Sequence, residues 1–170
     1  MVENGADFFW EVDALGRYTF AGPQINTLLG YTPEEVVGKT PFDLMPPGEA
    51  ARVRVLFEQL AATNAPIVQL LNRNVHRDGR EIYLETSAEP MFDADGRLTG
   101  YRGMDREVTA RVRAAEKLRE WEEIFQALGH PVMLIDKEFN ILAANRFLLK
   151  LLKITEDELG GRKCYHVFHN

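Results

Sequence analysis

"LLGYTPEEVVGK", residues 28–39, decides the fold, because the chain writes it a second time as "LLKITEDELGGR", residues 151–162. In the first copy Gly30 stops a short helix and Thr32 caps the next. Pro33 takes the first helical position, and Glu35, three residues after Thr32, completes a capping box. Gly38 breaks the chain again. Outward from these twelve residues, positions 6–45 lie over positions 129–168 without a gap. Asp13 meets Asp136, Ala21 meets Ala144, Leu28 and Leu29 meet Leu151 and Leu152, Thr32 meets Thr155, Glu35 meets Glu158 and Gly38 meets Gly161. Conservative pairs fill in between: Val12 with Ile135, Ile25 with Leu148, Val36 with Leu159, Phe42 with Tyr165. A gapless match through turn and core positions reads as a repeated structural unit.

Around the first copy, "DFFWEVDALGRYTFAG" predicts two short strands, Phe8 to Val12 and Arg17 to Ala21, turned by Asp13 and Gly16. Short helices follow, "PFDLM" among them. A longer helix runs over about residues 48–64, with Val53, Leu56, Phe57 and Leu60 in one apolar stripe. Three strands come next, about residues 67–76, 81–92 and 98–108, joined by Asp78-Gly79 and by "DADG" at 93–96. Asp-Gly between strand-like runs signals a hairpin. Strands that flank a helical insert indicate an α+β fold with an antiparallel sheet.

From Glu107 to Leu128 the chain holds no Gly or Pro and reads as one amphipathic helix. Leu118, Trp121, Phe125 and Leu128 fit an a/d seam, to be covered either by a parallel helix from a second chain or by a domain face. The second copy of the repeat stops at Asn170, where the first has reached only Pro47. Two strands and short helices do not close a sheet. The expectation is a fragment of a longer tandem protein, divided as residues 1–108, 109–128 and 129–170.

The totals limit the function classes. The 170 residues are 45% hydrophobic and 27% charged, an ordinary globular composition. A net charge of −6 argues against a general phosphate-backbone binder. Cys164 is the one cysteine, which rules out an internal disulfide and suggests a reducing, cytoplasmic setting. No apolar run has the length of a membrane span.

The ordered motifs "EVDALGRYTFAGPQINTLLGYTPEEVVGKTPFDLM" and "HRDGREIYLETSAEPMFDADGRLTGYRGMDREVT" resemble the PAS sensor domain, over nearly the whole first unit, and the second copy resembles its beginning. The resemblance implies a five-stranded antiparallel sheet in order 2-1-5-4-3, with small helices that cover one face and enclose a pocket. It also implies a homodimer that passes a signal through its C-terminal helix to an output domain of the same polypeptide. That output would be a histidine kinase, a diguanylate cyclase or a transcription regulator of a bacterial signalling protein, such as a sensor histidine kinase in a two-component system. Relatives often end the last strand in Asp-Ile-Thr; Glu107, Val108 and Thr109 stand there and read as a polar joint between sheet and helix.

The pocket expected from this resemblance lies between the inner sheet face and the helices around residues 41–60, lined by Phe42, Leu44, Met45, Val53, Leu56, Phe57 and Leu60. It would take a small organic ligand, or be filled as core. Haem is not expected, because residues 48–64 hold no axial His, nor is covalent flavin, because the first unit has no Cys. Trp10 could stack on a ring or serve as core. His76, beside the Asp78-Gly79 turn, is expected to face solvent, and His130 precedes Pro131 in a poor context for a phosphoacceptor. Cys164, His166 and His169 form C-x-H-x-x-H, a weak metal candidate, since only the two His share a helix face. No phosphate loop, paired carboxylates or nucleophile with a matched base is present, so the chain is not expected to be an enzyme. The alternative to a ligand sensor is a ligand-free dimerisation and relay module.

Overall fold

The computed structural model describes residues 7–168. The chain forms two compact units, which divide between Val112 and Arg113. In the first, strands β1 (Phe8–Asp13) and β2 (Tyr18–Ala21) lead into helices α1 (Gln24–Leu29) and α2 (Pro33–Val36), a 3₁₀ turn (Pro41–Leu44) and helix α3 (Pro47–Thr63). Strands β3 (Ile67–Val75), β4 (Glu81–Phe92) and β5 (Leu98–Glu107) complete a five-stranded antiparallel sheet in the order β2-β1-β5-β4-β3. This is the strand order that the resemblance implies.

One face of the sheet is apolar and covered. Phe8, Trp10 and Val12 alternate inward along β1, and Ile82, Leu84 and Ala88 do so along β4. They pack with Ile25, Leu29, Val36 and Leu44 from the helices into one core. The opposite face carries cross-strand ion pairs, Arg102 with Glu11 at 2.7 Å and Arg106 with Asp7 at 3.0 Å. Along β3 a bulge interrupts the alternation: the register shifts between Ile67 and Leu70, and Gln69 adopts φ 48°. A shift of one residue exchanges the two faces. Ile67 and then Asn72 and Asn74 are therefore buried, while Val68 and Leu71 are exposed.

In the second unit, the later part of helix α4 (Thr109–Ala127) is followed by strands β6 (Met133–Ile135) and β7 (Ile141–Ala144) and helices α5 (Arg146–Leu152), α6 (Glu156–Leu159) and α7 (Cys164–Phe168). Ile141, Ala144, Leu148 and Leu159 form its core.

The repeat read from the sequence is a repeat of geometry. Trp10 pairs with Ala21 and Met133 with Ala144; Val12 pairs with Tyr18 and Ile135 with Ile141, after the same register shift in each hairpin. Asp13 Oδ1 accepts from the amides of Leu15 (2.9 Å) and Arg17 (2.8 Å); Asp136 Oδ1 accepts from Glu138 (2.9 Å) and Asn140 (2.8 Å). Both capping boxes close, with the Thr32 amide on Glu35 at 2.8 Å and the Thr155 amide on Glu158 at 2.7 Å. Two left-handed positions are kept although the glycine is not: Phe139 (φ 64°) stands where Gly16 is, and Lys153 (φ 56°) where Gly30 is.

Candidate functional site

A cavity of about 50 Å³ lies between the inner sheet face and α3, lined from β1, β2, the 3₁₀ turn, α3 and the three later strands. A buried water needs roughly 10–15 Å³ of such space, so this one accommodates a few waters or a ligand of a few non-hydrogen atoms. The expected lining residues Phe42, Met45, Val53, Phe57 and Leu60 all line it. Two expected lining residues lie elsewhere. Leu44 is buried among core residues, because its 3₁₀ turn points it into the packing. Leu56 faces a surface groove beside Pro66 and Leu71, because α3 presents a different side there.

The apolar walls are largely aromatic. Phe42 meets Phe57 edge-on at 6.0 Å, Phe57 meets Tyr101 at 5.4 Å, and Trp10 meets Tyr18 edge-on at 6.3 Å. Trp10 reaches this position because β5 carries no side chain at Gly103. A Cβ there would come within 2.5 Å of Ala88 Cβ, 2.6 Å of the Ser87 carbonyl and 2.8 Å of Trp10 Cζ2.

The polar wall comes from β3, β4 and β5. Asn74 Nδ2 donates to Asn72 Oδ1 at 2.7 Å, and Asn72 Nδ2 donates to Thr86 Oγ1 at 2.7 Å and to the Leu70 carbonyl at 3.1 Å. The Thr86 hydroxyl, its oxygen already accepting, donates to Asp105 Oδ1 at 2.6 Å. Asp105 is 6% exposed, and burial pushes its carboxyl up to about 6, against the opposing pull of the Thr86 hydroxyl and the Trp10 indole. The indole stops short of a formed bond: Nε1 is buried without a hydrogen-bond partner. Burial, and then the charge of Asp105, also raise the Tyr18 phenol well above its ordinary value.

None of Asn72, Asn74, Thr86 and Asp105 figured among the residues expected at the site. Their signal was polar side chains at alternate strand positions, hidden on β3 by the bulge at Val68-Gln69.

β5 runs directly into α4. The Val108 amide donates to the Tyr83 carbonyl at 2.9 Å, and the buried Thr109 Oγ1 accepts from the Tyr83 amide at 3.0 Å. Glu107, expected as the acid of this joint, is exposed and lies opposite Leu84 in the register. The acid lies instead on β4, where Glu85 pairs with Arg111 at 2.7 Å. Along α4, Leu118, Trp121 and Ile124 are exposed, whereas Phe125 is 5% exposed and stacks on Trp121 at 5.1 Å. Leu128 is half-buried, and its carbonyl accepts from Asn145. Phe125 and Leu128 thus face the protein, so the expected seam is open only at its first two residues, joined by Ile124.

His76 also differs from expectation. It is half-buried, and its ring fills the space that a Cβ on Gly30 would take, 2.9 Å away. Cys164 and His166 lie on α7, the His ring against Tyr165 at 4.6 Å. His169 lies outside the described residues, among which no group of three metal-ligating side chains occurs.

Comparison with known proteins agrees with the strand order. The family profile described as "PAS fold" matches residues 2–113, and one described as "PAS domain" matches residues 119–169. The chain belongs to the PAS family. PAS domains are sensory and regulatory signalling modules. The chain is 27% identical over 85 residues to an aryl hydrocarbon receptor nuclear translocator homolog of Drosophila melanogaster, covering 50% of this chain. It is 32% identical over 100 residues to a bacterioopsin transcriptional activator of Halobacterium salinarum, covering 59% of this chain. It spans only 13% and 15% of those two proteins.

Among solved structures, the PAS domain of a Colwellia psychrerythraea protein superposes with a TM-score of 0.54 at 21% identity, covering 61% of this chain and 87% of that one. The N-terminal domain of a diguanylate cyclase with PAS/PAC sensor from Marinobacter aquaeolei gives 0.57 at 18% identity, covering 62% and 98%. At these identities the likeness is one of fold. Among the described residues, no helix is long and apolar enough to cross a membrane.

Proposed function

We propose that the first unit is the input module of a cytoplasmic bacterial signalling protein, in which a small organic ligand occupies the cavity and its presence is relayed through α4 to an output domain. The observation that carries this reading is Asp105: it contributes the cavity's carboxyl and lies on β5, the strand that continues into α4 through the Val108 and Thr109 contacts. A ligand that moves β5 therefore acts on the start of the helix. We divide the chain as a sensor over residues 1–108, a linker over 109–128 and the start of a second PAS unit over 129–170. The role is regulatory, not catalytic. The cavity lining includes neither His nor Cys, which favours a noncovalent organic ligand over haem or covalent flavin. Mass spectrometry and an absorption spectrum of the purified protein, with thermal shifts across a metabolite panel, test it. A protein that copurifies with nothing and responds to no metabolite would overturn it.

A second reading, a homodimeric relay without ligand, is favoured by the exposed Leu118, Trp121 and Ile124 on α4. Apolar side chains in a row on a charged helix invite a partner helix. A strict monomer in sedimentation equilibrium at high concentration would count against it.

A further inference from the structure

Asp105 is an expensive residue in the place where it stands. It is buried, and no Lys, Arg or His lines the cavity with it; Tyr18, from β2, is the other titratable group on the wall. A buried carboxylate without a countercharge is unfavourable, and an apolar residue or Asn would be easier to fold. The surrounding hydrogen bonds nevertheless converge on it as an acceptor. Asn74 donates to Asn72, Asn72 to Thr86, and Thr86 to Asp105. A carboxylate offers about four lone-pair sites; the Thr86 hydroxyl fills one. The Trp10 indole N–H, buried and without a partner, is a further donor at the same wall. Four rings, those of Trp10, Tyr18, Phe42 and Phe57, enclose the remaining space. Aromatic faces beside a desolvated carboxylate attract an ammonium group and repel an anion.

We propose that the cavity is a site for a compact organic cation, an alkylated ammonium of a few carbon atoms, whose charge rests on the Asp105 carboxylate and whose methyl or methylene groups face Trp10, Tyr18, Phe42 and Phe57. The inference rests on the reading of this unit as a ligand sensor and names the ligand's chemical class. The cation supplies the countercharge that the fold lacks, and the ionised carboxylate then has sites for both the ammonium and the Trp10 indole. A cavity of about 50 Å³ matches the scale of a small methylated ammonium.

The test is titration calorimetry with thermal shift on the full chain at about pH 8. The probes are methylammonium, trimethylammonium and tetramethylammonium, with tert-butanol as the neutral counterpart and acetate as the anion. The cations are expected to bind saturably and at least about tenfold more tightly than tert-butanol. Asp105→Asn keeps the acceptor for Thr86 and is expected to lose cation affinity by about tenfold or more while retaining any response to tert-butanol. Cation affinity is also expected to weaken as pH falls through about 6, where the carboxyl protonates. Should Asp105→Asn fail to fold, Phe57→Leu carries the same comparison, losing affinity for the cations and not for tert-butanol. Equal binding of cations and tert-butanol, or cation binding untouched by both variants, overturns the cation and leaves a sensor of neutral ligands. Silence of the wild-type protein toward these probes and the metabolite panel alike removes the sensor reading as well.

Discussion

The Thr86 hydroxyl donates a 2.6 Å hydrogen bond to Asp105 Oδ1, and the two residues face each other across β4 and β5 as register partners. Burial raises the Asp105 carboxyl from 3.8 to about 6. Between these values the native state holds a proton that the unfolded chain has released. The associated stability is present in full below the unfolded value and is lost as pH rises through about 6, amounting to at most about 3 kcal/mol. Asp7, Asp43 and Glu49 have lowered values and act with the opposite sign. The difference between wild type and Asp105→Asn isolates the one group. Urea denaturation from about pH 4 to pH 8 should show the Asn variant gaining on wild type by up to that amount, and parallel profiles would refute the assignment.

Gly103→Ala should destabilise the first unit by about 2 kcal/mol or more, as overpacking in a close-packed core does. The added methyl meets a backbone carbonyl as well as Ala88 and Trp10, so Ala88→Gly should rescue only part of the loss. Chemical denaturation of the single and double variants measures both.

At the sheet–helix joint, Thr109→Val removes the acceptor for the part-buried Tyr83 amide and leaves that donor unsatisfied, a cost of about 1 kcal/mol. Thr109→Ser should restore it. Hydrogen exchange at Tyr83 should accelerate in the Val variant alone.

In the second unit the non-glycine residues Phe139 and Lys153 hold left-handed backbone. Such a conformation costs an ordinary residue about 1–2 kcal/mol. Lys153→Gly should therefore stabilise that unit by up to about 1 kcal/mol, net of the added freedom of the unfolded chain. A lowered melting temperature for Lys153→Gly would contradict this.

Trp121→Asp and Leu118→Asp place a charge on the exposed part of α4. If that surface joins two copies, each variant should shift sedimentation equilibrium toward monomer by about tenfold or more in dissociation constant, with the far-UV spectrum unchanged.

The sequence made the fold legible because its punctuation is redundant. Thr32, Glu35 and Gly38 mark helix ends independently of the apolar pattern, and Asp13 marks a turn that its own side chain then closes. The apolar half of the cavity followed from the helical stripe on α3. The polar half did not, for a reason located at Gln69. Its bulge moves Asn72 and Asn74 from the face that simple alternation assigns them to the opposite one, and nothing local announces an extra residue. Glu107 differs for another reason: it ends β5 in an exposed position opposite Leu84, and Glu85, one residue further along β4, makes the ion pair with Arg111.

The sheet order also governs how this unit comes to be folded at all. β1 precedes the other four strands of its sheet in the chain, yet its pairings on one side are with β5, Phe8 opposite Asp105 and Asp13 opposite Gly100. Loop closure over that much chain is slow. β1 and β2 can pair as a hairpin early, but their inner edge stays open until β5 has been made and delivered, and an open strand edge is prone to pair wrongly. The strand that supplies the site's carboxyl is thus also the strand whose arrival closes the sheet, so variants on β5 should slow refolding more than equally destabilising variants on β3.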